Sequence, residues 1–98
     1  MHKPKPFPSS TTIWFTYILE CRDGSYYVGI TNDLQSRVDE HNAGAGASWT
    51  RIRRPVKLRF AQPFPDKSGA RLRENEVKGW RRQKKELLIH SEINVVPE

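Results

Sequence analysis

The sequence is almost without cysteine, has no long apolar run, and carries histidines too few and too scattered to form a metal cluster. Cys21 is the single cysteine, which excludes an internal disulfide. His2, His41 and His90 lie far apart and show no zinc-ligand spacing. No apolar stretch approaches the length that spans a bilayer, and residues 1–12 lack the hydrophobic block of a secretory signal. These absences give the expectation of a protein that stays in a reducing cytoplasm. Acid is also scarce, with Asp+Glu at 11 against Lys+Arg at 17 and a net charge of +6. A basic surplus suits a polyanion partner, although many basic proteins are simply soluble.

A chain of 98 residues with 36% apolar residues can bury one modest core, so a single α/β or α+β domain is expected. Residues 1–12 read as a flexible leader, because Pro4, Pro6 and Pro8 alternate with Lys and Phe and favour an extended chain. The domain proper is expected over residues 13–89 and a tail over 90–98, in which Asn94 to Glu98 carry no readable signal. Two β-rich runs, Ile13 to Glu20 and Tyr26 to Thr31, flank Asp23-Gly24, a strong hairpin signal. A helix follows, with Asn32 as cap and Gln35 completing a capping box, running to about Asn42 before Gly44 and Gly46 open a loop. Val56 to Phe60 reads as an edge strand punctuated by Pro55, Pro63 and Pro65. Asp66 or Ser68 caps a second helix over Ala70 to Trp80, interrupted by Gly79, and a shorter helix covers Gln83 to Ile89. The expected architecture is therefore a small, mainly antiparallel three-stranded sheet flanked by helices, in the order β-β-α-β-α-(α).

Hairpin register decides which side chains act together, because a slip of one residue sends every side chain to the other face. With a two-residue Asp23-Gly24 turn, Tyr17 opposes Ile30, and Tyr17 and Tyr27 point to opposite faces. With a three-residue loop ending in a left-handed Gly24, Leu19 opposes Tyr27 and Tyr17 opposes Gly29, and both phenols share one face. Propensity permits either turn; a function that uses both tyrosines requires the second. Gly29, bearing no side chain, would then leave room for a substrate beside Tyr17. On the first helix Arg37 and His41 sit one turn apart on one face, and an anion can bridge such a pair. On the second helix Glu74 lies at the margin of the apolar stripe and Glu76 at its other edge, and spacing does not choose between them. Arg51, Arg53 and Arg54 gather without an intervening acid and suit phosphate contacts, while Trp49 beside Thr50 can stack on a base or serve the core.

Tyr17, Tyr27-Val28-Gly29, Arg37, His41 and Glu74, in this order and at these spacings, resemble the GIY-YIG nuclease superfamily. The run from Tyr27 to Arg37 and the segment Thr50-Arg51 with Arg53-Arg54-Pro55 are similar to its small stand-alone bacterial branch, the YhbQ-like group. The likeness covers roughly residues 13 to 89. Thr16 stands where the family name has its first Gly. The Asn that several relatives carry after the metal-binding Glu has no match, Asn94 lying too far along. The resemblance implies a metal-dependent endonuclease that hydrolyses phosphodiester bonds, of DNA more than RNA, in DNA repair or processing. It makes Tyr17, Tyr27, Arg37, His41 and Glu74 the catalytic residues, and Glu74 the ligand of one divalent cation, Mg²⁺ or Mn²⁺. Gly29, Trp49, Thr50, Arg51, Arg53 and Arg54 are the expected nucleic-acid contacts. A free phenol titrates near pH ~10, so a base role for Tyr17 requires the metal or Arg37 to lower it. The alternative is a module that keeps the fold and the nucleic-acid binding and has lost turnover.

Overall fold

The computed structural model describes residues 12–97, so the leader expected over residues 1–12 lies almost wholly outside the described residues. Strands β1 (Trp14–Glu20) and β2 (Tyr26–Thr31) form the hairpin. Cys21 and Ser25 close its loop, and Gly24 adopts a φ of 85°, a conformation that glycine enters without a Cβ penalty. Tyr17 accordingly opposes Gly29 and Leu19 opposes Tyr27, which is the register that puts both phenols on one face. Strand β3 (Lys57–Phe64) pairs antiparallel with the other side of β1, giving the order β2-β1-β3. It runs four residues beyond the expected Phe60, because an edge strand tolerates Pro63, which has no N–H to donate.

Helix α1 (Leu34–Asn42) is capped by Asp33, whose carboxylate accepts the Ser36 N–H. The expected cap, Asn32, is thus displaced by one residue, and Gln35 bonds Asp39 in place of completing a capping box. The segment expected as open loop after Gly46 contains a single helical turn, α2 (Ser48–Arg51). Helix α3 (Lys67–Lys78) is capped by Asp66, and Gly79 terminates it where an interruption was expected. Helix α4 (Arg82–Ile89) completes the fold.

Both faces of the sheet are covered. Ile18, Val28 and Phe60 join Val77, Leu88 and Ile89 from α3 and α4 on one side. Tyr17, Leu19 and Val56 join Leu34 and Val38 of α1 on the other. This is why Thr16 to Leu19 are buried without alternation: a central strand between two layers has no wet face. The tail, without signal in the sequence, docks on the free edge of β3. Asn94 accepts the Ala61 N–H and donates to the carbonyls of Arg59 and Ile89, and the Val95 N–H reaches Ala61 O. Asn94 is therefore a structural clasp. Among the described residues no helix is long and apolar enough to cross a membrane.

Candidate active site

Strand β2 is an outer strand, and around its free edge side chains from both faces of the sheet can meet. A cleft of about 380 Å³ lies there. Tyr17, Tyr27, Gly29 and Arg37 line it from the α1 side, and Lys67, Arg71, Glu74 and Lys78 from α3. Gly29 makes the opening. A Cβ added to it would stand 2.5 Å from the Tyr17 hydroxyl, so only glycine lets that oxygen sit at the wall. Four of the five expected catalytic residues thus face one cleft.

The fifth, His41, does not. It is fully buried (0% exposed) behind Tyr17, with its Nε2 3.1 Å from the Tyr17 hydroxyl. Arg37, one turn earlier on α1, donates from Nε to the same hydroxyl at 3.3 Å and from Nη1 to Glu40 at 3.1 Å. The helix therefore delivers a guanidinium and an imidazole to one phenol, as their spacing of one turn allows. Burial pushes the Tyr17 pKa above its ordinary value, and the opposing pull of the Arg37 hydrogen bond is smaller. The condition set for a base role, a pKa lowered by the metal or Arg37, is not met by Arg37 alone: its pull is downward but burial outweighs it, and the group is a phenol. Burial also depresses the His41 pKa, with the nearby Arg37 charge acting in the same direction, so the imidazole is held neutral.

Glu74 is 5% exposed and reaches the cleft, whereas Glu76 is exposed and pairs with Arg73, so burial separates the two carboxylates that spacing left equal. Its oxygens meet Arg71 Nη1 at 3.2 Å and Lys78 Nζ at 3.1 Å, and both cations are half exposed. Among the described residues Glu74 is the one carboxylate that lines the cleft, and no group of three or more His, Cys, Asp or Glu could hold a metal. That donor set fits a hard divalent ion that retains most of its water and takes further oxygens from a phosphate. It does not fit zinc.

The expected nucleic-acid contacts divide. Tyr27 is flanked by His41, with ring centroids 5.2 Å apart, and by Trp49 at 6.1 Å, and the Arg53 guanidinium lies 3.9 Å from the Trp49 ring centre. Trp49 is 38% exposed, so it serves neither purely as core nor as a bare platform. Thr50 is corrected outright as a surface contact: it is fully buried, with its Oγ1 2.7 Å from His41 Nδ1. Arg51 and Arg54 line a separate hollow with Arg22 and Asn42, sharing no residue with the cleft. Lys67 and Trp14 at the cleft were not singled out from the sequence. Their only signal was position, a helix start and a strand start that the fold brings together.

Residues 13–86 match the GIY-YIG family in its description as the GIY-YIG catalytic domain. The chain belongs to the GIY-YIG family, a nuclease superfamily. Proteins it is similar to include small UPF0213 proteins. One from Halobacterium salinarum is 53% identical over 73 residues, covering 74% of this chain and 95% of its own. YazA of Bacillus subtilis is 48% identical over 80 residues, covering 82% of this chain and 81% of its own. The solution structure of the UPF0213 protein BH0048 from Bacillus halodurans superposes with a TM-score of 0.53 at 43% identity, over 83% of this chain and 86% of that one. That of EF2693 from Enterococcus faecalis gives 0.54 at 39% identity, over 76% and 80%.

Proposed function

We propose that this chain is a divalent-metal-dependent endonuclease that hydrolyses nucleic-acid phosphodiester bonds, DNA before RNA. The observation that carries the reading is the cleft itself: a phenol held between Arg37 and His41 faces a nearly buried carboxylate in an otherwise cationic wall. Arg37, Lys67, Arg71 and Lys78 against Glu74 leave a positive surplus that suits a phosphodiester. Glu74 would hold the cation, which when bound supplies a Lewis acid and a more acidic water. Arg71 and Lys78 are exposed enough to swing from Glu74 to phosphate oxygens.

The chain's own residues account for the proton. A water in the cleft gives a proton to the Tyr17 oxygen as the phenol's proton passes to His41 Nε2. The resulting hydroxide forms the new P–O bond, the bond from phosphorus to the leaving oxygen breaks, and that oxygen takes a proton from solvent. His41 then returns its proton through Tyr17 to water. No standing phenolate is needed, which agrees with the raised Tyr17 pKa. Arg37 keeps donors free beyond those given to Tyr17 and Glu40, and these stabilise charge developing on the phosphoryl oxygens. Tyr27 borders the reacting position, while Gly29 leaves it open. Arg51 and Arg54, with Arg53 and Trp49, contact the strand outside the cleft. The single buried free thiol of Cys21 fits a cytoplasmic setting.

A second reading, nucleic-acid binding without turnover, draws on one observation: both Glu74 oxygens already have cationic partners. Incubation of the purified chain with single- and double-stranded DNA and Mg²⁺ or Mn²⁺ separates the two. Cleavage that disappears in Glu74→Ala and Arg37→Ala supports the nuclease; salt-dependent binding with no cutting supports the module.

A further inference from the structure

The hydrogen-bond chain behind Tyr17 ends on Thr50, and its atoms can be assigned one proton at a time. Thr50 Oγ1 lies 2.9 Å from the carbonyl of Ala47, the residue that caps α2, and 2.7 Å from His41 Nδ1. A hydroxyl has one proton to give. A carbonyl can only accept, whereas an imidazole nitrogen can do either, so giving the Thr50 proton to Ala47 obliges Nδ1–H to donate to Thr50. Nε2 is then the bare nitrogen, and the Tyr17 hydroxyl donates to it. Arg37 Nε, which can only donate, fills a lone pair of the Tyr17 oxygen. Every proton in this chain has an acceptor inside the protein.

The opposite tautomer is less well accommodated. Nε2–H would donate to a Tyr17 oxygen that already accepts from Arg37, and the phenol proton would have to turn out into the cleft. Thr50 would surrender its bond to Ala47 O. The enclosure of Nδ1 leaves no third partner: His41 and Thr50 are both fully buried, and a Cβ on Gly46 would stand 2.4 Å from Nδ1, so that backbone closes over the ring. None of the described buried side-chain polar atoms lacks a hydrogen-bond partner.

We infer that Thr50 is a positioning residue that fixes His41 as its Nδ1–H tautomer, so that Nε2 is kept as the acceptor of the Tyr17 proton. Thr50 is fully buried and lies out of reach of a substrate in the cleft. It acts through His41, as the orienting partner of a histidine selects which ring nitrogen is free to take a proton. The tautomer assignment stands on the hydrogen bonds alone; only its catalytic consequence rests on the nuclease reading. Helix α2 thereby acquires a purpose that its four residues do not announce: its first turn holds the hydroxyl that orients the histidine one loop away.

The test is a two-bond proton–nitrogen correlation spectrum of the full ¹⁵N-labelled chain at neutral pH, joined to steady-state cleavage kinetics. The expected spectrum has the protonated nitrogen of His41 at Nδ1 and the bare one at Nε2. Thr50→Val should shift His41 towards the Nε2–H form and lower kcat by about tenfold or more, with KM changed less than about twofold because no substrate contact is lost. Thr50→Ser keeps the hydroxyl and should restore both the tautomer and kcat. Protonated Nε2 in the wild-type chain overturns the inference whether or not any variant folds. So does Thr50→Val with the wild-type tautomer and kcat. If the wild-type chain cuts no DNA, the nuclease reading fails while the spectrum still decides the tautomer.

Discussion

Replacing Gly29 by alanine adds one methyl group and should disable the cleft while leaving the chain folded. The new Cβ would lie 2.5 Å from the Tyr17 hydroxyl oxygen, 2.6 Å from Cζ and 3.1 Å from Cε2. Contacts under 3 Å do not persist, so either the phenol or the edge strand must give. The phenol is 1% exposed and tied to Arg37 and His41, and the β2 backbone is tied to β1, so neither moves freely. Overpacking of this kind destabilises by about 1–3 kcal/mol, which for a domain of this size lowers the melting temperature by on the order of 10 °C. The larger effect should be on turnover, because a displaced Tyr17 loses the hydrogen bonds that route its proton. Gly24→Ala is the control. Its site has nothing within 4 Å of an added Cβ, so the loss is confined to backbone strain at a φ of +85°, roughly 1–2 kcal/mol, with turnover retained. Urea titrations and cleavage kinetics on both variants are the assay. Gly29→Ala as active as wild type, or a loss of turnover in Gly24→Ala equal to that of Gly29→Ala, refutes the reasoning.

Three further outcomes follow from other parts of the molecule. Asn94→Ala should destabilise by about 1–3 kcal/mol, since the Ala61 N–H and the Arg59 and Ile89 carbonyls lose their partner. Its kcat should be unchanged, because β3 is the edge opposite the cleft; a urea midpoint at the wild-type value would contradict this. Arg51→Ala and Arg54→Ala, in a hollow apart from the cleft, should each reduce the slope of log binding constant against log salt by about one and leave kcat alone, whereas an unchanged slope removes them from the interface. Finally, the His41 pKa is held below its unfolded value, so the unfolded chain takes up the proton first as the pH falls below about 6.5. Stability should therefore decline below that pH and level off only once the folded state also binds the proton, and His41→Gln should flatten this decline between pH 7.5 and 5.5. Equal pH dependence in the two chains would show that His41 is not buried neutral.

The hairpin was legible from Asp23-Gly24 to within one residue at its start, Trp14 in place of Ile13, but its register was not: propensity left two open, and only a function using both tyrosines favoured the one observed. The cap of α1 was legible only to within one residue, since Asn32 and Asp33 are both good caps and the choice falls on whichever backbone position adopts the extended conformation. Helix α2 was not legible: four residues make one turn and show no period. The end of β3 was hidden by Pro63, which reads as a stop unless the strand is known to be an edge. Within the site, spacing put Arg37 and His41 on one helix face, and the resemblance singled them out together with Tyr17. What the sequence did not carry was depth: that His41 and Thr50 lie beneath Tyr17, and that Glu74 reaches the cleft around the β2 edge. These depend on how three layers stack, as does Asn94, whose Arg59 partner is a carbonyl 35 residues upstream.

The measurement that bears most directly on the account is cleavage of DNA by the purified chain in Mg²⁺ or Mn²⁺, beside Glu74→Ala and Arg37→Ala. The account expects cutting by the wild-type chain, its abolition by chelation, and a loss of about a hundredfold or more in each variant. An inert wild-type chain, or cleavage that survives both substitutions, would contradict it.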